Sequence, residues 1–242
     1  MIDLEGGGGS RLTFDPADDG FPVWSPDGRY IAYRSSRNGK FQLMRKLSNG
    51  AGQEDVLYKS STPTFADDWT PDGRALIVSR LDPKTNSDLW LLPLDGPRTL
   101  APLVRTPADD PRARLSPDGR LLGYISSESG RMEAYVQPFP SLDGKWQLSQ
   151  SGGGNSPPQW RRDGKELYYA SRGSLWVAPV VSQDPFSLGP TQRLFTEPPT
   201  QRGSFPAASA DGQRFLYPVD LVQLAAPKYN VIVNWASDVR QR

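Results

Sequence analysis

Short apolar runs, separated by polar turns rich in glycine and proline, recur along the whole chain. In the clearest repeat, an apolar run at residues 75–79 is followed by a polar loop, a second apolar run at residues 89–92 and a turn around Gly96. Runs this short, bounded by turn residues and without the period of an amphipathic helix, predict β-strands. The pattern therefore predicts an all-β protein built from short antiparallel strands.

A turn signature comes before each second apolar strand at a nearly constant spacing. Ser/Thr-Pro-Asp-Gly occurs at residues 25–28, 70–73 and 116–119, and degenerate copies occur at residues 161–164 and 209–212. Proline presets φ for a β-turn, aspartate bonds nearby backbone N–H groups, and glycine accepts positive φ. We expect each turn to join the first and second strands of one repeat. The turn aspartates lie 45 to 48 residues apart and are Asp27, Asp72, Asp118, Asp163 and Asp211.

A period of about 40 to 50 residues with a turn before each apolar run is typical of β-propeller blades. Each blade is expected to contain four antiparallel strands, with hairpin turns at Asn38-Gly39 and Arg172-Gly173 between the second and third strands. One blade cannot bury its faces alone, so the repeats favour a single domain over residues 1–242. The predicted second strands are residues 30–33, 75–79, 121–124, 166–169 and 214–217, and the third strands are residues 41–44, 89–92, 134–136, 175–177 and 231–233.

The two ends of the chain predict a partial blade beside the five recognisable repeats. Residues 2–6 match residues 92–96, so the chain is expected to begin within a third strand, and residues 11–14 are expected to form an outer strand. Trp235 would close the last third strand. Two interpretations follow: an incomplete part of a six-bladed ring, or five blades closed by the N-terminal strand. Propellers close by mixing strands from both termini, so both are physically sensible.

Composition excludes several kinds of site. The chain contains no Cys and no His, so it cannot build a thiolate nucleophile, a Ser-His-Asp triad or a His-ligated zinc site. Its formal net charge is +1 and no block of basic residues stands out, which gives no electrostatic reason to expect nucleic-acid binding. No run approaches the roughly 18 apolar residues of a membrane span, and residues 1–5 do not resemble a signal peptide. The compartment is left open.

Acidic residues recur just before the predicted inner strands. Equivalent offsets in a ring would place them on one face, around the mouth of the channel. Carboxylates clustered there would bind a cation such as Ca²⁺ or a basic peptide, and the alternative is a solvated acidic loop. The candidate ligand-binding residues are Asp18, Asp19, Asp67, Asp68, Asp109, Asp110 and Asn155.

Three tryptophans precede the turns, and they are expected to serve packing rather than ligand stacking. Trp24, Trp69 and Trp160 share the inner-strand register. We therefore predict that all three are mostly buried between neighbouring blades.

An ordered set of segments resembles the TolB-like β-propeller repeat. It is most similar to the propeller that follows the membrane segment of bacterial receptor-type serine/threonine kinases. The resemblance implies a six-bladed ring, a protein or peptide partner, an extracytoplasmic location and a membrane-anchored kinase as the parent protein. No kinase signature is present in this chain. The segments that carry the resemblance are residues 12–19, 24–28, 135–140, 160–169, 209–216 and 231–235.

Three functions are compatible with these observations. The first is a non-catalytic protein- or ligand-binding module, the sensor or scaffold part of a bacterial envelope signalling protein. The second is the gating propeller of a prolyl-oligopeptidase-type peptidase, whose catalytic triad would lie in another domain. The third is a propeller glycosidase that uses carboxylates such as Asp18, Asp67 and Asp109. The sequence favours the first, with no enzymatic activity and no required cofactor.

Overall fold

A computed structural model describes residues 9–150, 152–153, 156–198 and 206–217, and the backbone of residues 230–233. The chain divides into two compact units, Met1–Pro111 and Arg112–Arg242. Apart from a single 3-10 turn at Arg37–Gly39, the regular structure of the described residues consists of β-strands. The all-β prediction is confirmed. The predicted strand at residues 2–5, Asn155 and Trp235 lie outside the described residues.

The first unit contains two four-stranded antiparallel sheets, each a simple meander. Consecutive strands pair antiparallel, from the inner strand to the outer one, and the register shifts once in four of the six pairs. These are the predicted blades. The first sheet contains β1 (Asp19–Trp24), β2 (Tyr30–Ser35), β3 (Phe41–Leu47) and β4 (Asp55–Ser60), and the second contains β5 (Thr64–Trp69), β6 (Ala75–Asp82), β7 (Asn86–Pro93) and β8 (Ala101–Val104).

The described residues of the second unit form a four-stranded sheet, a five-stranded sheet and a three-stranded sheet. The extra strand was not predicted: β15 runs on past the blade and forms a hairpin with β16, which places Phe186 in the apolar core of this unit. The strands are β9 (Arg112–Leu115), β10 (Leu121–Ser126), β11 (Glu133–Pro138), β12 (Trp146–Gln147), β13 (Gln159–Trp160), β14 (Glu166–Ser171), β15 (Ser174–Gln183), β16 (Phe186–Leu188), β17 (Gln192–Thr196), β18 (Ala207–Ala208), β19 (Arg214–Tyr217) and β20 (Asn230–Val233).

Every Asp-Gly turn joins the first and second strands of its sheet, as predicted. In the turn before β10, the buried Ser116 hydroxyl donates to Asp118 Oδ1 at 2.6 Å and accepts from the Leu121 N–H at 2.9 Å. Gly119 has a φ of 71°, a conformation that glycine adopts without strain. The side-chain hydrogen bonds thus fix the turn that starts each second strand.

The degenerate fourth copy of the turn replaces the hydroxyl by a guanidinium. Arg161 donates from Nε to Asp163 Oδ1 and from Nη2 to Asp163 Oδ2, both at 2.7 Å. This bidentate geometry is the strong form of the Arg–carboxylate pair. The turn therefore keeps its aspartate although its Ser-Pro pair is missing.

The tryptophan prediction is only partly correct. Trp69 is buried, with 4% of its surface exposed, and Trp160 is half-buried against the core of the second unit. Trp24 is 53% exposed, so its predicted burial is wrong. Successive residues of a strand point to opposite faces: Val23 faces the core shared by the two sheets of the first unit, and Trp24 faces away from it.

The outer strand predicted at residues 11–14 is also wrong. This segment is irregular and is attached to the first sheet through Lys46, whose ammonium donates to the Leu12 carbonyl oxygen at 3.0 Å. Phe14 remains exposed and lies 5.7 Å from the Lys46 ammonium. A side-chain contact therefore replaces the backbone ladder that an outer strand would form.

Candidate functional site

Four of the predicted acidic residues, Asp18, Asp19, Asp109 and Asp110, fall on one edge of the two sheets of the first unit, which we call the loop face. Here the segments before the inner strands, residues 15–18, 61–63 and 105–111, meet the hairpins at residues 36–40 and 83–85. Hydrogen bonds join these segments to their sheets: Ser36 N–H to the Asp18 carbonyl at 3.1 Å, and Ser87 N–H to Asp109 Oδ1 at 2.9 Å. The Asp-Gly turns lie at the opposite edge. The prediction is wrong for Asp67 and Asp68, because they lie within β5, next to the Asp-Gly turn at the opposite edge.

Among the predicted acidic residues that form salt bridges, Asp18 is the most exposed to solvent. Its side chain is 73% exposed and pairs with Arg34, with 2.5 Å between Nη2 and Oδ2. The Arg34 guanidinium lies 5.2 Å from the Phe21 ring and 5.4 Å from the Phe65 ring. The two rings also meet edge to face. Arg34 is therefore held by aromatic contacts on both sheets and presents Asp18 to solvent.

The neighbouring residue, Asp19, points inward. Its side chain is 9% exposed and accepts a hydrogen bond from Arg37 Nη2 at 3.2 Å. Arg37 also pairs with Asp15 at 3.4 Å and with Glu54. The hydrogen bond from Arg37 is the main cause that lowers the pKa of Glu54. One guanidinium thus serves three carboxylates.

Of the other predicted pairs, Asp67 and Asp68 belong to a strand, whereas Asp109 and Asp110 fasten the loop before β9. Asp67 is buried, and Asp68 Oδ1 accepts from the Trp69 N–H at 2.9 Å. Asp110 is fully buried and accepts from Thr106 Oγ1 at 2.9 Å, while its N–H donates to the Ser87 carbonyl at 2.7 Å. Each of these pairs contains one buried carboxylate and one that is half-buried.

A buried polar residue stands at the start of the third strands, a position that was not among the predicted site residues. Glu133 is fully buried and accepts hydrogen bonds from Ser149 Oγ and from the N–H groups of Gly152 and Gly153 at 2.9 and 3.0 Å. In the first unit, the equivalent Asp88 accepts from Thr85 Oγ1 at 3.0 Å. The available signal is a polar residue directly before the first core residue of each third strand. The four residues are Gln42, Asp88, Glu133 and Ser174.

The described residues contain no group of three or more acidic side chains that could hold a metal ion. On the loop face, the pKa of Asp82 is lowered by the Lys84 N–H, as that of Glu54 is by Arg37. A glycosidase acid needs a raised pKa. Glu197, in the second unit, has its pKa raised by burial and accepts from the Tyr217 hydroxyl at 3.2 Å.

Repeated antiparallel meanders, each with an Asp-Gly turn between its first and second strands, define the fold as a β-propeller. Comparison with solved structures specifies the type. TolB from Acinetobacter baumannii superimposes with a TM-score of 0.73 at 20% identity, over 90% of this chain and 53% of that chain. An oligogalacturonate lyase in complex with manganese superimposes with a TM-score of 0.64 at 16% identity, over 95% of this chain and 69% of that one. The fold of the chain is therefore a β-propeller similar to that of TolB.

Sequence comparison gives partial matches. The Tricorn protease homolog 1 of Streptomyces coelicolor is 32% identical over 105 residues, which are 42% of this chain and 10% of that protein. A TolB homolog of Chlorobium luteolum is 25% identical over 134 residues, 55% of this chain and 29% of that protein. The chain thus spans a minor part of the length of these relatives. No family model matches the chain. Within the described residues, no helix has the length and apolar character needed to cross a membrane.

Proposed function

We propose that this chain is a non-catalytic protein- or peptide-binding propeller module, the sensor or scaffold part of a bacterial envelope signalling protein. The observation that carries the proposal is the loop face itself, where carboxylates are fixed by neighbouring donors while Asp18 stays open to solvent. Fixed charges on a preformed surface attract an oppositely charged partner and orient it. The matching partner is a basic peptide or a basic protein surface.

The wider context of the module belongs to the same proposal. The resemblance to kinase-linked propellers suggests a membrane-anchored parent protein and an extracytoplasmic location. The TolB-type fold is in keeping with such a role. Identifying the coding sequence next to this chain tests the proposal, because it predicts a kinase domain and a membrane helix in frame.

A gating propeller of a peptidase is the second candidate. It is favoured by the partial similarity to the Tricorn protease homolog 1 of Streptomyces coelicolor. The uncharacterized peptidase YuxL of Bacillus subtilis is also 36% identical over 62 residues, which are 24% of this chain and 9% of that protein. A hydrolase domain in the same reading frame would support it. Either candidate predicts that the purified chain shows no peptidase, glycosidase or kinase turnover.

The binding proposal is tested with an octapeptide of alternating lysine and glycine, measured by isothermal titration calorimetry at two salt concentrations. Asp18→Lys combined with Asp109→Lys is expected to weaken binding. The Asp18 carboxylate is exposed and that of Asp109 is half-buried, so the double variant reverses the charge of the surface that a partner would meet. The matched control is Asp95→Lys, a 77% exposed side chain at the opposite edge of the second sheet. Equal binding by all three proteins would overturn the proposal, and so would binding that does not weaken with salt.

A further inference from the structure

Phe21 has a backbone conformation that a bulky residue rarely adopts. Its φ is 58°, in the left-handed region where the Cβ atom of any residue except glycine is crowded by the backbone. Pro22 comes next, and the residue before a proline favours extended backbone. The neighbouring Gly20 would take the left-handed region without strain, yet it does not have a positive φ. The strain is therefore carried by the residue with the aromatic ring.

The repeat itself does not require this conformation. Phe21 and Pro22 of β1 together oppose Tyr33 of β2, which makes a β-bulge. β5 has a bulge at the equivalent place, where the register shifts between Ala66 and Asp68. No residue of β5 has a positive φ. Because the second sheet forms its bulge with ordinary backbone, the left-handed residue of the first sheet has another cause.

The bulge of β1 changes the direction of the Phe21 ring. Gly20 pairs with Arg34 across the two strands. In a regular strand, the side chain after Gly20 would point to the opposite face, away from Arg34. Instead, the Phe21 ring lies 5.2 Å from the Arg34 guanidinium. Bulges re-aim side chains in this way and occur next to functional sites, so the unusual backbone brings this ring to the guanidinium.

Phe65 of the second sheet completes an aromatic clamp, by which we mean Phe21, Arg34 and Phe65. The Phe65 ring lies 5.4 Å from the Arg34 guanidinium and meets the Phe21 ring edge to face, with 4.8 Å between the ring centroids. An aromatic ring attracts a guanidinium within about 6 Å. The Arg34 side chain is 15% exposed. The clamp thus holds a largely buried guanidinium between the two sheets.

The clamped guanidinium orients the Asp18 carboxylate. Ser36 holds the backbone of Asp18, because its N–H donates to the Asp18 carbonyl at 3.1 Å and its hydroxyl accepts from the Asp18 N–H at 3.2 Å. Arg34 Nη2 lies 2.5 Å from Asp18 Oδ2, while the side chain of Asp18 stays 73% exposed. The carboxylate therefore still offers lone pairs to a donor outside the protein. A side chain that is fixed before binding loses less freedom when a partner binds.

We propose that Phe21 is a positioning residue of the loop face: its ring holds Arg34, and Arg34 in turn orients Asp18 for a basic partner. The left-handed backbone of Phe21 is the cost of that arrangement. The inference deepens the proposed function and rests on it for the identity of the partner. The link from Phe21 to Arg34 is a property of the free chain, so it is measured without a partner.

The first experiment observes the clamp in the free chain through the ¹⁵N–¹H signal of Arg34 Nε, an atom that is buried. Phe21→Leu is expected to displace this signal, because nearby aromatic rings shift proton resonances. Phe21→Tyr keeps the ring and should leave the signal near its parent position. Tyr30→Leu removes a ring from Arg45 at the opposite edge of the same sheet and is the matched control, which should leave the Arg34 signal in place. An undisplaced signal in Phe21→Leu overturns the proposal.

The second experiment measures the strain by urea denaturation. Phe21→Gly removes more apolar surface than Phe21→Leu, yet it relieves the left-handed backbone. We therefore expect the urea midpoint of Phe21→Gly to equal or exceed that of Phe21→Leu. Phe65 does not have a positive φ, so Phe65→Gly should be clearly less stable than Phe65→Leu. A midpoint for Phe21→Gly that lies as far below Phe21→Leu as in the Phe65 pair would show that Phe21 is unstrained and would overturn the proposal.

The third experiment measures binding of the lysine-glycine octapeptide by calorimetry. Phe21→Leu and Phe21→Gly are expected to weaken binding about threefold to tenfold, since Asp18 is then ordered only when the partner binds. Phe21→Tyr and the control Tyr30→Leu should bind as the parent chain does. Parent-like binding by Phe21→Leu and Phe21→Gly overturns the positioning role even where the Arg34 signal has moved. A parent chain that does not bind the octapeptide overturns the proposed function instead, and the Arg34 signal and the urea midpoints then decide whether Phe21 holds the clamp.

Discussion

The indole Nε1 of Trp69 donates a hydrogen bond to the carbonyl oxygen of Val23 at 3.2 Å. This bond joins the inner strands of the two sheets in the first unit, and both residues belong to one apolar core. Trp24 has the equivalent place in the first repeat, yet its ring is 53% exposed. Two tryptophans with the same sequence context therefore have different roles, one in packing and one at the surface.

Replacing these two tryptophans should separate the roles. Trp69→Ala is expected to lower the free energy of unfolding by about 3 to 5 kcal/mol, because it removes a buried ring and leaves the Val23 carbonyl without its donor. Trp24→Ala is the matched control and should change it by less than about 1 kcal/mol. Urea denaturation followed by circular dichroism measures both values. Equal losses would contradict the different packing of the two rings.

The hydroxyl of the repeated turn should contribute to stability in the same way. Ser116→Ala removes a buried hydroxyl that donates to Asp118 and accepts from the Leu121 N–H. The expected loss is about 1 to 3 kcal/mol, since the Leu121 N–H is left buried without a partner. Ser129→Ala, in an exposed turn, is the control and should have little effect. A comparable loss in the control variant would mean that the loss in Ser116→Ala does not come from the hydrogen bonds of the turn.

The lowered pKa values of the turn aspartates predict how the stability of the folded state depends on pH. Hydrogen bonds from Ser25, Thr70 and Ser209 are the main causes that lower the pKa values of Asp27, Asp72 and Asp211. Arg161 lowers the pKa of Asp163 to about 2. A carboxylate whose pKa is lower in the folded state stabilises that state above the unfolded pKa, and the contribution is lost as the pH falls through the folded value. We expect the urea midpoint to be nearly constant from about pH 7 to 5 and to fall between about pH 4 and 2.

The same measurement on Asp163→Asn provides the check on that interpretation. The variant should be less stable than the parent chain at neutral pH and should lose less stability on acidification, because one of the responsible carboxylates is absent. Asp143→Asn, at an exposed loop position, is the control and should follow the parent curve. A parent-like curve for Asp163→Asn would assign the acid sensitivity to other groups.

Glu133 should be the acidic residue most sensitive to neutral substitution in the second unit. Its carboxylate accepts from the N–H groups of Gly152 and Gly153 and from Ser149 Oγ. Glu133→Gln replaces an acceptor by a donor at one oxygen, and the expected loss is about 1.5 to 3 kcal/mol. Glu128→Gln affects a pair with Lys145 at the surface and should cost less than about 1 kcal/mol. Thermal denaturation of the two variants decides between these expectations.

The repeated turns show what could be predicted from sequence. Their geometry depends on residues within four or five positions of one another, such as Ser116, Asp118 and Leu121. Local chemistry of this kind is visible in the chain, and the strand assignments that follow from it are confirmed. The β16 hairpin was missed because the apolar run of β15 simply continues beyond its blade.

The candidate site was harder to predict because burial depends on distant residues. Asp18 and Asp19 are adjacent and chemically identical, but Arg34 holds one towards solvent while Arg37 holds the other inside. The repeat places acidic residues before each inner strand without indicating which of them a guanidinium will reach. The same holds for the aromatic clamp, which combines residues of the two sheets.

By itself, the sequence determined the all-β class, the blade period and the turns, because these follow from short-range backbone preferences and from the alternation of side chains along a strand. Only the tertiary structure decided which tryptophan is covered, which carboxylates are paired and which rings hold Arg34. Those outcomes depend on the packing of side chains far apart in the chain, and on whether another sheet lies against a given face. Trp24 and Trp69 share one motif, and only the sheet packed against Trp69 makes them different.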